Sequence, residues 1–301
     1  MKKYICIVFV SLIIFSCKTD KKANQKLNIV TTTSMITDLV KNVAGDEVNV
    51  QGLMGSGVDP HLYKASEGDV SKLSGADIIF YNGLHLEGKL VEIFEKMRNI
   101  KTVALSDAID EKTLIGSEYF ASNYDPHIWF NTEYWILITQ FVADKLSEAL
   151  PEKKDLFQAN SAKYIVELKA LQTTLKSTIE TLPKDKRILV TAHDAFNYFG
   201  KAYGFQVRGL QGISTATEAG VQDVQNLSAF IIENKIKAIF IESSVPKRTI
   251  EALQAAVNSK DHNVDIGGSL YSDALGTTGT PEGTYIGMFK YNVNTIVNAL
   301  K

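Results

Sequence analysis

Cysteine is nearly absent: the 301 residues hold two, Cys6 and Cys17. Cys6 lies inside an apolar leader-like run, so a processed chain would carry Cys17 alone, and a disulfide within one chain is excluded. An excess of charge of either sign is also missing. The 32 Lys and Arg residues stand against 34 Asp and Glu with the signs interspersed, for a formal net charge of -2. No broad basic surface therefore argues for a nucleic-acid partner. The apolar stretch from Tyr4 to Phe15 is shorter than the roughly 20 residues needed to cross a bilayer. No low-complexity tract follows it. Two enzyme signatures are missing as well. There is no His-Glu-x-x-His pattern, and no Gly-Lys-Ser/Thr follows the glycines at Gly276, Gly279 and Gly283, which argues against a nucleotide loop.

What is present begins with an address. Met1-Lys2-Lys3 is a basic start, Tyr4 to Phe15 an apolar core, and residues 1–16 read as a secretory signal peptide. The stretch Ile14-Phe15-Ser16-Cys17 resembles a bacterial lipobox, with Phe15 where a small or aliphatic residue is usual. Cys17 is therefore the expected lipidation site, and the polar residues 17–26 the tether. An uncleaved anchor and simple secretion are the alternatives. All three put the chain outside the cytoplasm in the cell envelope, periplasmic or on an outer surface.

From Leu27 onward strands alternate with helices, which predicts an α/β protein. Strands are expected at Leu27–Thr32, Val48–Leu53, Asp77–Tyr81 and Lys101–Leu105. Helices are expected from Ser34 as a cap towards Val43, and over Ser66–Ser74, Gly88–Met97 and Thr132–Ala149. Phe157, Ile165, Leu168, Leu171, Leu175, Ile179 and Leu182 then recur every three or four residues, with no glycine or proline between Glu152 and Leu182. One long amphipathic helix of about 45 Å is expected there, rather than two shorter ones. The alternation resumes with strands at Arg187–Ala192, Phe205–Leu210, Ala238–Glu242 and Val264–Gly267. Helices are expected at Ala195–Tyr203, Val221–Asn234, Lys247–Val257 and about Pro281–Leu300. The expected organisation is an N-terminal α/β lobe at 27–150, a rigid linker helix at 151–183 and a C-terminal α/β lobe at 184–301. Each lobe should hold a mostly parallel sheet flanked by helices.

Three of the five histidines occupy punctuated positions. His61 and His127 end two copies of Asp-Pro-His, where proline fixes its own φ and restricts the residue before it, so each imidazole is stiffly aimed. His193 ends the apolar run from Ile188 to Ala192, at the carboxyl end of a strand, where ligands of open α/β sheets sit. Imidazoles with a carboxylate suit zinc or, with more oxygen, manganese. Asp273 in Leu270-Tyr-Ser-Asp-Ala-Leu-Gly276 is the candidate oxygen donor. Glu242 is its rival, or an acceptor that holds an imidazole N–H. By residue type alone, either Asp-Pro-His histidine could equally be a capping or packing residue. His85 reads as a hydrogen-bonding loop residue, His262 as solvated, and Trp129 and Phe130 as packing that excludes water.

Five ordered segments carry a resemblance: Gly57-Val-Asp-Pro-His-Leu-Tyr-Lys-Ala-Ser66, Tyr81-Asn-Gly-Leu-His-Leu-Glu87, Asp125-Pro-His-Ile-Trp129, His193-Asp-Ala-Phe-Asn-Tyr-Phe199 and Ser272-Asp-Ala-Leu-Gly276. Over nearly the whole mature chain they resemble the zinc- and manganese-binding solute-binding lipoproteins of bacterial ABC importers. The resemblance implies two lobes joined by a rigid helix, with one Zn2+ or Mn2+ between them. It assigns ligation to His61, His127, His193 and Asp273, and places Glu218, in Ser214-Thr-Ala-Thr-Glu218, on a loop that carries acidic residues near the cleft, either as support behind a ligand or as simple surface charge. It further implies a permease and an ATPase on separate chains; a monomer is expected. Manganese-specific members often have glutamate at position 193, so the histidine here favours zinc, although no His- and acid-rich insert separates Leu105 from Asp125. A zinc hydrolase with an open coordination position is the competing class, and a surface adhesin the third.

Overall fold

The computed structural model describes residues 26–97, 99–117 and 120–301. The expected signal peptide, Cys17 and most of the tether lie outside the described residues, and among the described residues no helix is long and apolar enough to cross a membrane.

The first lobe is built on a four-stranded parallel sheet of β1 (Asn28–Thr31), β2 (Asn49–Gly52), β3 (Ile78–Tyr81) and β4 (Lys101–Ala104), in the order β2-β1-β3-β4. Successive residues of β1 bury opposite faces. Ile29 joins the cluster with Leu39, Val43 and Trp135, while Val30 joins Met54, Leu73, Leu90 and Phe94. Burial on both faces explains why these strands read as continuous apolar runs rather than alternating ones. The helices covering them are α1 (Ser34–Ala44), α2 (Glu67–Ser74), α3 (Gly88–Lys96) and α4 (Thr132–Ala149).

After a single 3-10 turn at Pro151–Lys153, α5 (Lys154–Glu180) runs unbroken for 27 residues, about 40 Å. Its buried stripe is Phe157, Tyr164, Leu168, Leu171, Leu175 and Ile179. It packs on α1 and α4 of the first lobe and on the last helix of the second.

The second lobe holds β5 (Ile188–His193) paired in parallel with β6 (Gln206–Gln211), and β7 (Ala238–Glu242) paired in parallel with β8 (Asp265–Leu270). β5 lies beside β7, so the spatial order β6-β5-β7-β8 repeats that of the first lobe. Its helices are α6 (Asn197–Tyr203), α7 (Val221–Glu233), α8 (Arg248–Asn258) and α9 (Tyr285–Leu300). The strand β8 is longer than its apolar run predicts because it continues through Gly267 and Gly268. A Cβ at Gly267 would lie 2.7 Å from the Ala299 Cβ, so glycine is what lets α9 approach the strand.

The lobes are not hinged freely. One apolar cluster passes from α1 and α4 through α5 to α9 and includes Phe130, Phe196, Tyr285 and Phe289. Trp135 stacks on Tyr285 at 4.8 Å and Phe130 meets Phe196 at 4.3 Å. Trp129 Nε1 donates to the Ser272 carbonyl at 3.0 Å, and Tyr285 Oη to the Trp129 carbonyl at 2.7 Å. An extensive apolar interface of this kind restrains relative domain motion. One cap also differs from the expected one. Thr33, not Ser34, is the N-cap of α1. Ser34 is the first helical residue, and its hydroxyl instead accepts the Leu275 N–H at 2.8 Å, from the other lobe.

Candidate metal centre

Each Asp-Pro-His corner is closed by its own aspartate. Asp59 Oδ1 accepts the His61 N–H at 2.8 Å, and Asp125 Oδ1 accepts the His127 N–H at 2.9 Å. Proline between them fixes the chain, and the carboxylate closes a local Asx-type turn. At the second corner the same Asp125 oxygen is 2.7 Å from His127 Nδ1. That contact leaves Nε2 as the free donor nitrogen. The corner is held from both sides of the cleft. Asn82, just past β3, donates to the Pro126 carbonyl at 2.9 Å, while Tyr198 Oη of α6 donates to the Asp125 carbonyl at 2.9 Å. Asn82 is itself fixed by Glu87 Oε1, which accepts its N–H at 2.8 Å and the Thr32 hydroxyl at 2.6 Å. Thr32 and Asn82 follow the carboxyl ends of the paired strands β1 and β3, whose connections leave to opposite sides of the sheet, the switch point at which α/β sheets place ligands.

His193 is the last residue of β5. Glu242, the last of β7, accepts its N–H at 2.8 Å with Oε1 and places Oε2 2.6 Å from its Nδ1. Asp273 follows β8. Its Oδ1 is 3.5 Å from His127 Nε2, and its Oδ2 is 3.3 Å from His193 Nε2. His61 Nε2 is 3.3 Å from His127 Nε2. Zinc bonds of 2.0–2.1 Å in a tetrahedron require donors about 3.4 Å apart. These three contacts are close to that spacing, and one donor atom from each of the four residues lies within 4.8 Å of all the others, so the donors converge on one point and close further around an ion.

The cluster is dry. His127 and His193 are fully buried, Asp273 is 1 % exposed and His61 6 %. Burial pushes the His61 imidazole down to about 3, and the neighbouring imidazoles push the same way against the pull of Asp273. At neutral pH it is a neutral donor. Burial alone would also lower His193, but the Glu242 and Asp273 carboxylates outweigh it and hold the ring well above its ordinary value. Asp273 runs the other way: burial would raise it, while the His193 ring, followed by His61 and His127, keeps it below the usual carboxylate range. In the metal-free chain the two carboxylates therefore favour the protonated His193 ring.

Residues 29–299 match the family described as ZnuA, zinc-uptake complex component A periplasmic. The chain belongs to this family. Among its relatives is the zinc-binding protein TroA of Treponema pallidum, 48% identical over 282 residues, covering 93% of this chain and 91% of that one. The manganese-binding lipoprotein MntA of Bacillus subtilis is 45% identical over 299 residues, covering 98% and 97%. The solved structure of T. pallidum TroA superposes with a TM-score of 0.89, covering 91% of this chain and 99% of the other.

Within this ZnuA-family frame the remaining candidates separate. Glu242 stands behind His193, not among the four converging donors. Glu218 is not brought to the cluster at all. It lies on an exposed segment, its side chain 80 % exposed and 3.5 Å from Arg248 Nη2, because the chain there runs over the surface before α7. His85 is exposed, edge-on to Phe120 at 6.2 Å. His262 is half-buried rather than solvated, with Nε2 2.9 Å from the Ile236 carbonyl. Trp129 packs edge-on against His127 at 5.2 Å, on the side away from solvent. Asp125 is the residue that sequence reasoning missed. Its signal was present, a carboxylate two residues before an aimed imidazole, but it was read only as part of the proline corner.

Proposed function

We propose that this protein captures a divalent transition metal outside the cytoplasm and delivers it to an ABC-type permease, driven by an ATPase, on separate chains. The single observation that supports the reading is the buried convergence of His61 and His127 from one lobe with His193 and Asp273 from the other, with a donor atom of each within 4.8 Å of all the others. These four residues bind one ion per chain. Such a site saturates its metal, whereas a zinc hydrolase keeps a position open for water and substrate. The protein is thus a carrier of the ion and not an enzyme. Relatives named for zinc and for manganese are both similar to it. Three imidazoles with one carboxylate favour zinc, by ligand type and by the usual affinity order.

In this reading the chain is a monomer, residues 17–26 tether it to the membrane through a lipid on Cys17, and lobes 27–150 and 184–301 are held by the linker helix 151–183. The extensive interlobe packing argues for release by local change of ligation rather than wide opening. The test is labelled-metal uptake by the native host under chelation, comparing the wild-type gene with one encoding His127→Ala. The variant should abolish high-affinity uptake of the physiological ion while the protein is still made and folded. Undiminished uptake of both zinc and manganese would reject the proposal.

A further inference from the structure

The two Asp-Pro-His corners are alike in sequence and differ in what the aspartate does with its second oxygen. Asp125 keeps Oδ1 on its own histidine's ring and accepts Asn197 Nδ2 with Oδ2 at 3.1 Å. Asp59 sends Oδ2 across the cleft, where Thr215 Oγ1 donates to it at 2.6 Å. Thr215 lies on the 212–220 segment that joins β6 to α7. From Gly212 to Gly220 it is the one buried residue, the others being half-buried or exposed. Gly212, Ile213, Ser214 and Thr217 of the same segment border a cavity of about 390 Å³, shared with Phe120 of the first lobe. A segment in solvent on one side and over a cavity on the other has little apolar packing to locate it. A charge-assisted hydrogen bond to a partly buried carboxylate is then its main tie to the opposite lobe.

The corner that it ties is also the less supported of the two. His127 and His193 each have a carboxylate oxygen close to Nδ1, at 2.7 and 2.6 Å. Among the described residues no carboxylate stands within 4 Å of a His61 ring nitrogen, and His61 is the most exposed of the four donors. Its ring direction depends on its backbone, and so on the grip of Asp59 Oδ1 on its N–H. We propose that Thr215 is a positioning residue for metal ligation: its hydroxyl couples the seating of the 212–220 segment to the placement of His61, and metal leaves by way of this corner when the tie breaks. This rests on the metal site proposed above; Thr215 itself touches no ion.

The experiment measures zinc release from the full folded chain into excess chelator by stopped flow, for wild type, Thr215→Val and Thr215→Ser. A hydrogen bond to a charged group contributes about 1.5–3 kcal/mol. Thr215→Val should therefore speed release roughly tenfold to a hundredfold, from a chain that still folds and still binds one ion. Thr215→Ser, which keeps the hydroxyl, should fall back to within a few-fold of wild type. In a His61→Ala background, already faster, Thr215→Val should change nothing further. The proposal is overturned if Thr215→Val releases zinc at the wild-type rate, if serine does not rescue, or if the valine effect persists at full size without His61. A wild-type protein that binds no metal would instead overturn the site reading on which the proposal stands.

Discussion

Glu242→Gln isolates the role of charge behind a ligand, because glutamine keeps an oxygen for the His193 N–H and removes only the anion beside Nδ1. The two contacts at stake are 2.8 and 2.6 Å long, and both partners are buried. A glutamine amide beside Nδ1 donates rather than accepts, which moves the ring proton to Nε2, the atom that must face the metal. Loss of such an outer carboxylate costs about tenfold to a hundredfold in metal affinity, or about 1.4–2.7 kcal/mol. The same substitution removes one of the two carboxylates that raise His193 and leaves Asp273 as the other. Wild type must expel a proton from this ring to bind metal, and the variant much less so. The loss should therefore narrow as pH falls through the raised folded value of His193, below which proton competition weakens wild type more. Competition titrations against a chromophoric chelator of known pH dependence measure this directly. An affinity within twofold of wild type at every pH, or a deficit that widens as pH falls, would refute the reasoning.

Other consequences concern protons, stability and the linker. Zinc uptake at pH 7 should release close to one proton from His193 and none from His61, whose neutral ring sits at about 3; calorimetry in buffers of different ionisation enthalpy would show it, and zero release would contradict it. In the metal-free protein His193 is raised, so its stabilisation is complete below about 6.5 and lost as pH rises through its folded value; His61 is lowered, so its contribution is lost as pH falls from about 6.5 towards 3. Melts of the metal-free chain should thus decline on both sides of neutrality, and His193→Asn should remove the alkaline decline only. Saturating metal at a hundredfold excess over the dissociation constant should stabilise the fold by about 2.7 kcal/mol, raising the melting point by roughly 5–10 °C. Leu168→Ala, in the buried stripe of α5, should cost about 2–5 kcal/mol in denaturant unfolding while leaving the four donors able to bind zinc.

The architecture was legible because local patterns and the global fold agree. Buried parallel strands announce themselves as Ile, Val and Phe runs, and the α5 stripe keeps helical spacing without a breaker. The histidines were legible for the same reason: proline corners and a strand end are local features. Less legible was everything decided by a partner distant in sequence. Ser34 looks like a cap, yet it serves Leu275, 241 residues away. Two identical tripeptides diverge because Asn197 reaches Asp125 and Thr215 reaches Asp59. The family resemblance put Glu218 on a loop near the cleft, but an exposed segment carries its side chain outward. The extent of β8 was hidden by glycines, which sequence reading treats as stops and which here admit α9.

The most direct test of the account is a crystal of zinc-loaded protein measured on both sides of the zinc absorption edge. The account predicts one anomalous peak per chain, bonded to Nε2 of His61, His127 and His193 and to the Asp273 carboxylate, with nitrogen distances of about 2.0–2.1 Å. A peak elsewhere, no peak, or an ion with a water-filled fourth position and Asp273 turned away would contradict it.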